Sequence, residues 1–149
     1  VVKTGLLMGE ELWALPLEQQ VRKAAAFKTA VCLRDPYDQG ERAQLNLGHT
    51  FAHALEAAAG FELPHGRAVA LGLLAALRLS GLDTKPVQEQ LDPKPVKVDR
   101  ERAWAALARD KKAVGGVPRL VLLERPGEPR IGVELPPDEV RKALDDLIA

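Results

Sequence analysis

The chain has 149 residues, 46% of them hydrophobic and 28% charged, proportions that fit one globular domain with a real core and exclude both a disordered chain and two ordinary domains. Its 21 lysines and arginines balance 21 aspartates and glutamates, so no net field argues for nucleic acid or an anionic membrane as partner. Cys32 stands alone, which excludes an internal disulfide and a cysteine-built zinc site, and leaves it to be read as a small buried hydrophobe.

The chain opens at Val1, with neither an initiator methionine nor a charged-then-apolar signal segment, and is expected to be a cytoplasmic piece of something larger. "PLEQQVRKAAAFKTAVCLRD" begins with Pro16 and continues in strong helix formers, with apolar residues at three- and four-residue steps; it predicts an amphipathic helix. "DPYDQGER" is a turn-rich break. A second helix is predicted from near Arg42 to about Ala59, with Gly60 as its stop. "FELPHG" reads as a connector, which leaves His65 outside regular structure. "RAVALGLLAALRLSG" is apolar nearly all round, so it should be a helix central to the core. Its longest apolar run is too short to span a bilayer.

"LDTKPVQEQLDPKPVKVD" is punctuated by prolines and holds short helices at most. "DRERAWAALARDKK" predicts another amphipathic helix, with Trp104, Leu107 and Ala108 on one side. "PRLVLLERPGEPRIGVEL" has two β-prone runs around "RPGEP" and reads as a hairpin. "PPDEVRKALDDLIA" closes the chain as a helix, with Pro137 near its start and Asp138 in its N-terminal turn. The expected class is mainly α, one multi-helical domain over residues 1–149 with a small β-hairpin near the C-terminus. No glycine-rich strand–turn–helix segment appears, so this chain has no dinucleotide-binding domain of its own.

All three histidines, His49, His53 and His65, fall within 17 residues of one another. On the predicted helix His49 and His53 lie one turn, roughly 6 Å, apart on one face, with Arg42, Asn46 and Glu56 on or near it. Burying such a face as plain core is costly. Because Leu45, Phe51, Ala52 and Leu55 make the rest of the helix apolar, the polar strip is expected to line a cleft. The spacing suits zinc in two ways. Both helix histidines bind it, or one of them does together with His65 while the other remains free for proton transfer or anion binding; spacing does not choose between them. Lys3, Lys28, Arg42 and the pair Lys111–Lys112 read singly as solvated charges. Each is expected at an element end, from which together they would hold a carboxylate or phosphate.

"RAQLNLGHTFAHALEAAAGFELPHGRAVALGL" resembles the C-terminal domain of 3-dehydroquinate synthase, whose pattern is R-x-x-L-N-x-G-H-T-x-x-H-A-x-E followed by H-G-E-A-V. "VVKTGLL" is similar to the family's E-V-V-K-x-G-L-I segment, "DPYDQGER" to its acidic loop, and "DKKAVGG…LVLL" to its D-K-K…G…L-V-L-L segment. The resemblance implies the α-helical C-terminal domain of a two-domain enzyme. That enzyme turns 3-deoxy-D-arabino-heptulosonate 7-phosphate into 3-dehydroquinate and phosphate in the shikimate pathway, by transient oxidation, elimination, reduction and ring closure.

The same resemblance implies NAD, held mainly by an N-terminal domain absent from this chain, a divalent metal (zinc, or cobalt in its place) and a homodimer. It implies His49 and His65 as metal ligands, His53 as the proton-transferring and phosphate-contacting residue, and Asp38, in place of a glutamate, as an aid to proton transfer. Lys3, Lys28, Arg42, Asn46 and one of Lys111 or Lys112 would contact the anionic sugar-phosphate substrate. Two departures stand out. Arg67 replaces a glutamate expected after His-Gly, where it could disturb a contact supporting the metal ligands. The family's third metal ligand, a glutamate, would precede Val1. The alternatives are another sugar-phosphate cyclase, an iron- or zinc-dependent polyol dehydrogenase on the same scaffold, and a non-catalytic helical interaction module. Arg42 and Asn46 argue against the dehydrogenase.

Overall fold

A computed structural model describes residues 1–109 and 117–149. Among them helices dominate, with one two-stranded sheet, as the sequence predicts. Helix α1 (Val2–Met8) was not foreseen: seven residues are too few for a clear period, and Gly5 interrupts them. The glycine is required, since a Cβ there would lie 2.6 Å from the Glu10 carbonyl oxygen and 2.8 Å from the Trp13 ring. Helix α2 (Leu17–Arg34) follows Pro16 as expected. It buries only Val31, and Cys32 is half-buried, not fully enclosed, because α2 rests on the domain by one narrow edge.

The largest correction concerns the second predicted helix. Glu41–Asn46 form a 3-10 helix, Gly48 adopts φ 78°, and helix α3 spans His49–Ala58. The chain breaks there because α3 crosses helix α4 (His65–Leu79) backbone to backbone. A Cβ on Gly48 would lie 2.7 Å from the Leu73 nitrogen, and one on Gly72 would overlap the Gly48 carbonyl oxygen. Arg42 and Asn46 therefore do not share a helix with the histidines. His65 is likewise no connector residue but the first residue of α4, preceded by Pro64, whose φ of −58° suits a helix entry.

Helix α4 is central, as its composition predicts: Ala68 and every residue from Ala70 to Leu77 are buried. It packs on α3, on strand β1 (Leu120–Arg125) and on helices α5 (Lys85–Leu91) and α7 (Pro137–Asp145), while α3 also packs on helix α6 (Arg100–Ala108). Helix α6 buries Ala103 and Leu107 and leaves Trp104 partly exposed. The Asp99 side chain caps it, accepting from the Arg102 N–H at 2.7 Å. Strand β1 pairs antiparallel with β2 (Glu128–Val133) from Leu120↔Val133 to Arg125↔Glu128. The turn needs Gly127 at φ 87°, and its N–H donates to the Leu6 carbonyl at 2.9 Å. Ser80 Oγ donates to the Ala76 carbonyl and accepts from the Leu123 N–H at 3.0 Å, tying hairpin to α4. Among the described residues no helix is long and apolar enough to cross a membrane.

Candidate functional site

The start of α3 meets the middle of α4, where Gly48 and Gly72 let the two backbones touch, and the later turns of α3 reach the start of α4, where Glu56 meets His65. That crossing brings the histidines together. The His49 and His65 rings stand 5.5 Å apart between centroids, and the His49 and His53 rings 5.6 Å apart, edge-on at 85°. His49 is thus the middle member of three. It is half-buried, whereas His53 and His65 are exposed.

Two of the rings are held by oxygen acceptors. The carbonyl of Leu47, 3.2 Å from His49 Nδ1, can only accept, so Nδ1 carries the proton. By the same reasoning His65 Nδ1 donates to Glu56 Oε1 at 2.8 Å. In its neutral form each ring then leaves Nε2 with a free lone pair. Burial, and then the Lys3 ammonium nearby, push the His49 pKa down from 6.5 to about 4. The ring is therefore neutral at physiological pH and ready to ligate.

Positive charge gathers beside this cluster. Lys3, in the first turn of α1, donates from Nζ to the Leu45 carbonyl at 2.7 Å. Its pKa is lowered by burial and then by repulsion from Lys28, which places both ammonium groups on the same side. Lys28 reaches there from the body of α2, not from an element end as expected. The Lys3 bond also pins the 3-10 segment carrying Arg42 and Asn46, both half-buried. Asn46 follows the Leu45 carbonyl directly. Arg42 Nη1 turns to the Pro36 carbonyl at 3.2 Å. Asp38 is exposed at φ 53°, and no hydrogen bond or ion pair among the described residues links it to the histidines. Lys111 and Lys112 lie outside the described residues.

Two residues matter more than their sequence context announced. The Asp35 carboxylate accepts from the N–H groups of Gln39, Gly40 and Arg42 at 2.8–2.9 Å, so one side chain folds the loop that presents Asp38 and Arg42. Those N–H bonds, the Arg42 one first, hold its pKa below the usual carboxylate value. The available signal was an aspartate directly before a proline at a helix end. Glu56, noted only as lying near the polar face, is the partner of His65. Arg67 is exposed and instead lines an open cavity of about 300 Å³ with Leu91, Asp92, Pro93 and Lys94.

Among the described residues no three His, Cys, Asp or Glu side chains gather closely enough to hold a metal. A pair of donors does fit. A zinc about 2.0–2.1 Å from two imidazole nitrogens in tetrahedral geometry sets the ring centroids roughly 5 Å apart, and both pairs satisfy that. What separates them is the second nitrogen: ligating histidines characteristically donate it to a carbonyl or carboxylate, which His49 and His65 do.

The chain matches the family described as 3-dehydroquinate synthase C-terminal over residues 1–113. It is 35% identical over 143 residues to the 3-dehydroquinate synthase of Dehalococcoides mccartyi strain 195, covering 88% of this chain and 40% of that enzyme. It is 37% identical over 145 residues to that of Symbiobacterium thermophilum, with the same coverage. The chain thus spans about 40% of the length of the curated relatives it matches. In fold it is similar to 2-deoxy-scyllo-inosose synthase complexed with carbaglucose-6-phosphate, NAD+ and Co2+. That likeness has a TM-score of 0.81 at 18% identity and covers 97% of this chain and 49% of that one. It also resembles 2-epi-5-epi-valiolone synthase from Streptomyces hygroscopicus with NAD+ and Zn2+ bound. There the TM-score is 0.70 at 21% identity, over 97% of this chain and 46% of that one. With three quarters of its residues matched in order, the chain belongs to the 3-dehydroquinate synthase C-terminal family.

Proposed function

We propose that this chain supplies the metal- and substrate-binding part of a 3-dehydroquinate synthase acting on 3-deoxy-D-arabino-heptulosonate 7-phosphate. The observation that carries the reading is the convergence of His49, His53 and His65 beside Lys3, with Nδ1 engaged in His49 and His65. His49 and His65 would hold a zinc or cobalt ion through Nε2, and a glutamate upstream of Val1 would complete the set. Bound there, the ion would polarise a substrate hydroxyl and the carbonyl it becomes.

The chain's own residues then divide the remaining work. Lys3, partly buried, and Lys28, exposed, carry charges near enough to repel each other. That repulsion is relieved when an anion arrives, which suits a carboxylate or phosphate. Arg42 adds a planar fork for the same anion, and Asn46 a neutral donor and acceptor. His53, whose ring has no hydrogen-bond partner among the described residues, is free to take a proton from the substrate, pass one back, or contact the phosphate. Asp38 would assist the proton transfer, and Lys111 or Lys112 would join the anion contacts. NAD would be held by the domain upstream, so the isolated chain should not turn over.

A second reading, another sugar-phosphate cyclase, draws on the fold likeness to 2-deoxy-scyllo-inosose synthase. Phosphate release from 3-deoxy-D-arabino-heptulosonate 7-phosphate by the full-length polypeptide, with NAD and zinc, tests the choice. Release expected from the full-length protein but not from the 149-residue chain supports the reading. Turnover of a different sugar phosphate in its place favours the second, and turnover by the chain alone contradicts the division into halves.

A further inference from the structure

The contact expected from a glutamate at position 67 is not made by Arg67, which faces an open cavity beside Asp92 and Lys94. His65 nevertheless has a carboxylate partner. Glu56 reaches from the last turns of α3 to the first residue of α4 and meets His65 Nδ1 at 2.8 Å. The exposures are unequal: the Glu56 side chain is 13% exposed and that of His65 is 60%. An exposed imidazole gains little from an ion pair with a surface carboxylate. A carboxylate that is mostly buried, in contrast, is costly unless something holds it, and His65 is its single hydrogen-bond partner among the described residues. The arrangement therefore fixes the ring more than it stabilises the fold. It selects the tautomer with the proton on Nδ1 and leaves Nε2 unengaged, on a ring whose centre lies 5.5 Å from that of His49.

We infer that Glu56 is the positioning residue of the metal site, holding His65 with Nε2 free to ligate and occupying the role that position 67 does not fill. The inference rests on the reading of His49 and His65 as ligands. Glu56 does not touch the ion; it acts through the ring, by orientation and by making the imidazole a better donor when the carboxylate accepts its Nδ1 proton. The link also explains why the connector from Gly60 to Pro64 can be short and partly strained, with Phe61 at φ 64°: it must return the chain so that residue 65 meets residue 56.

The test uses the full-length polypeptide, with zinc affinity measured by chelator competition and the cobalt-substituted protein followed by its d–d absorption. Glu56→Ala should lower zinc affinity about 10–100-fold and alter the cobalt spectrum, while the urea midpoint stays close to wild type. Glu56→Gln keeps an oxygen acceptor without the charge, so its loss should be smaller; it carries the test if the alanine variant folds poorly. Arg67→Glu should change the affinity less than twofold. Wild-type zinc affinity in both Glu56 variants, alongside its loss in His65→Ala, would overturn the inference and leave the metal reading standing. Wild-type zinc affinity in His65→Ala would overturn that reading and the inference with it.

Discussion

His49 concentrates the chemistry of this chain because its burial and its neighbours act in one direction. Desolvation and the Lys3 ammonium both disfavour the imidazolium, and the pKa falls to about 4. In the metal-free protein the His49 Cε1–H resonance should therefore stay at its neutral position until the pH approaches 4. Titration near the ordinary 6.5 would mean that the His49 ring is not buried beside Lys3. The linkage has a definite sign. The unfolded ring takes its proton near 6.5 and the folded ring only near 4, so the metal-free chain loses stability as pH falls through that window and keeps it above. The histidines themselves were legible in the sequence, being three in one short segment. The division proposed for them was not legible from spacing, because it is argued from which Nδ1 meets an oxygen, and that depends on the Leu47 carbonyl and on Glu56.

Helix boundaries were the least legible feature at the next scale, and for a physical reason. The run from Arg42 to Ala59 has good helix formers throughout and only Gly48 against it. What breaks it is tertiary: the close crossing of α3 over α4, which demands a left-handed Gly48 and no side chain on Gly72. Gly72→Ala should accordingly destabilise the chain toward the upper end of the roughly 1–3 kcal/mol typical of overpacking, read from urea midpoints. Gly66→Ala is the control. Nothing lies within 4 Å of a Cβ there, so it should be neutral or stabilise by up to about 1 kcal/mol. Equal effects at both sites would contradict the crossing. The 35–42 loop, by contrast, was recognised as a turn, yet its organiser was not. Asp35→Ala should remove the hydrogen-exchange protection of the Gln39, Gly40 and Arg42 amides and leave that of α4 unchanged. In the wild type that protection should persist above the unfolded carboxylate pKa of 3.8 and fade as pH drops through the lower folded value. Unchanged exchange in the variant would show that the loop folds without Asp35. The strongly patterned elements, α2, α4, the hairpin and α7, all formed as their patterns predict, although α4 begins two residues earlier, at His65, and α7 ends at Asp145, short of the chain end.

For the molecule as a whole, fold class and family were both open to sequence reasoning. The first follows from helical periodicity and one Pro-Gly hairpin, the second from the arginine–asparagine–histidine order that the family match over residues 1–113 bears out. The chain covers some 40% of its relatives, and its cluster offers two suitably held imidazoles, not three donors. The central claim is the separation of roles within the cluster, His49 and His65 for the metal and His53 for the chemistry. Zinc affinity and turnover of His53→Ala and His65→Ala in the full-length polypeptide test it most directly. The account predicts near-wild-type zinc affinity with turnover about 100-fold or more lower for His53→Ala, and a loss of zinc affinity for His65→Ala. Equal loss of zinc in the two variants would contradict it.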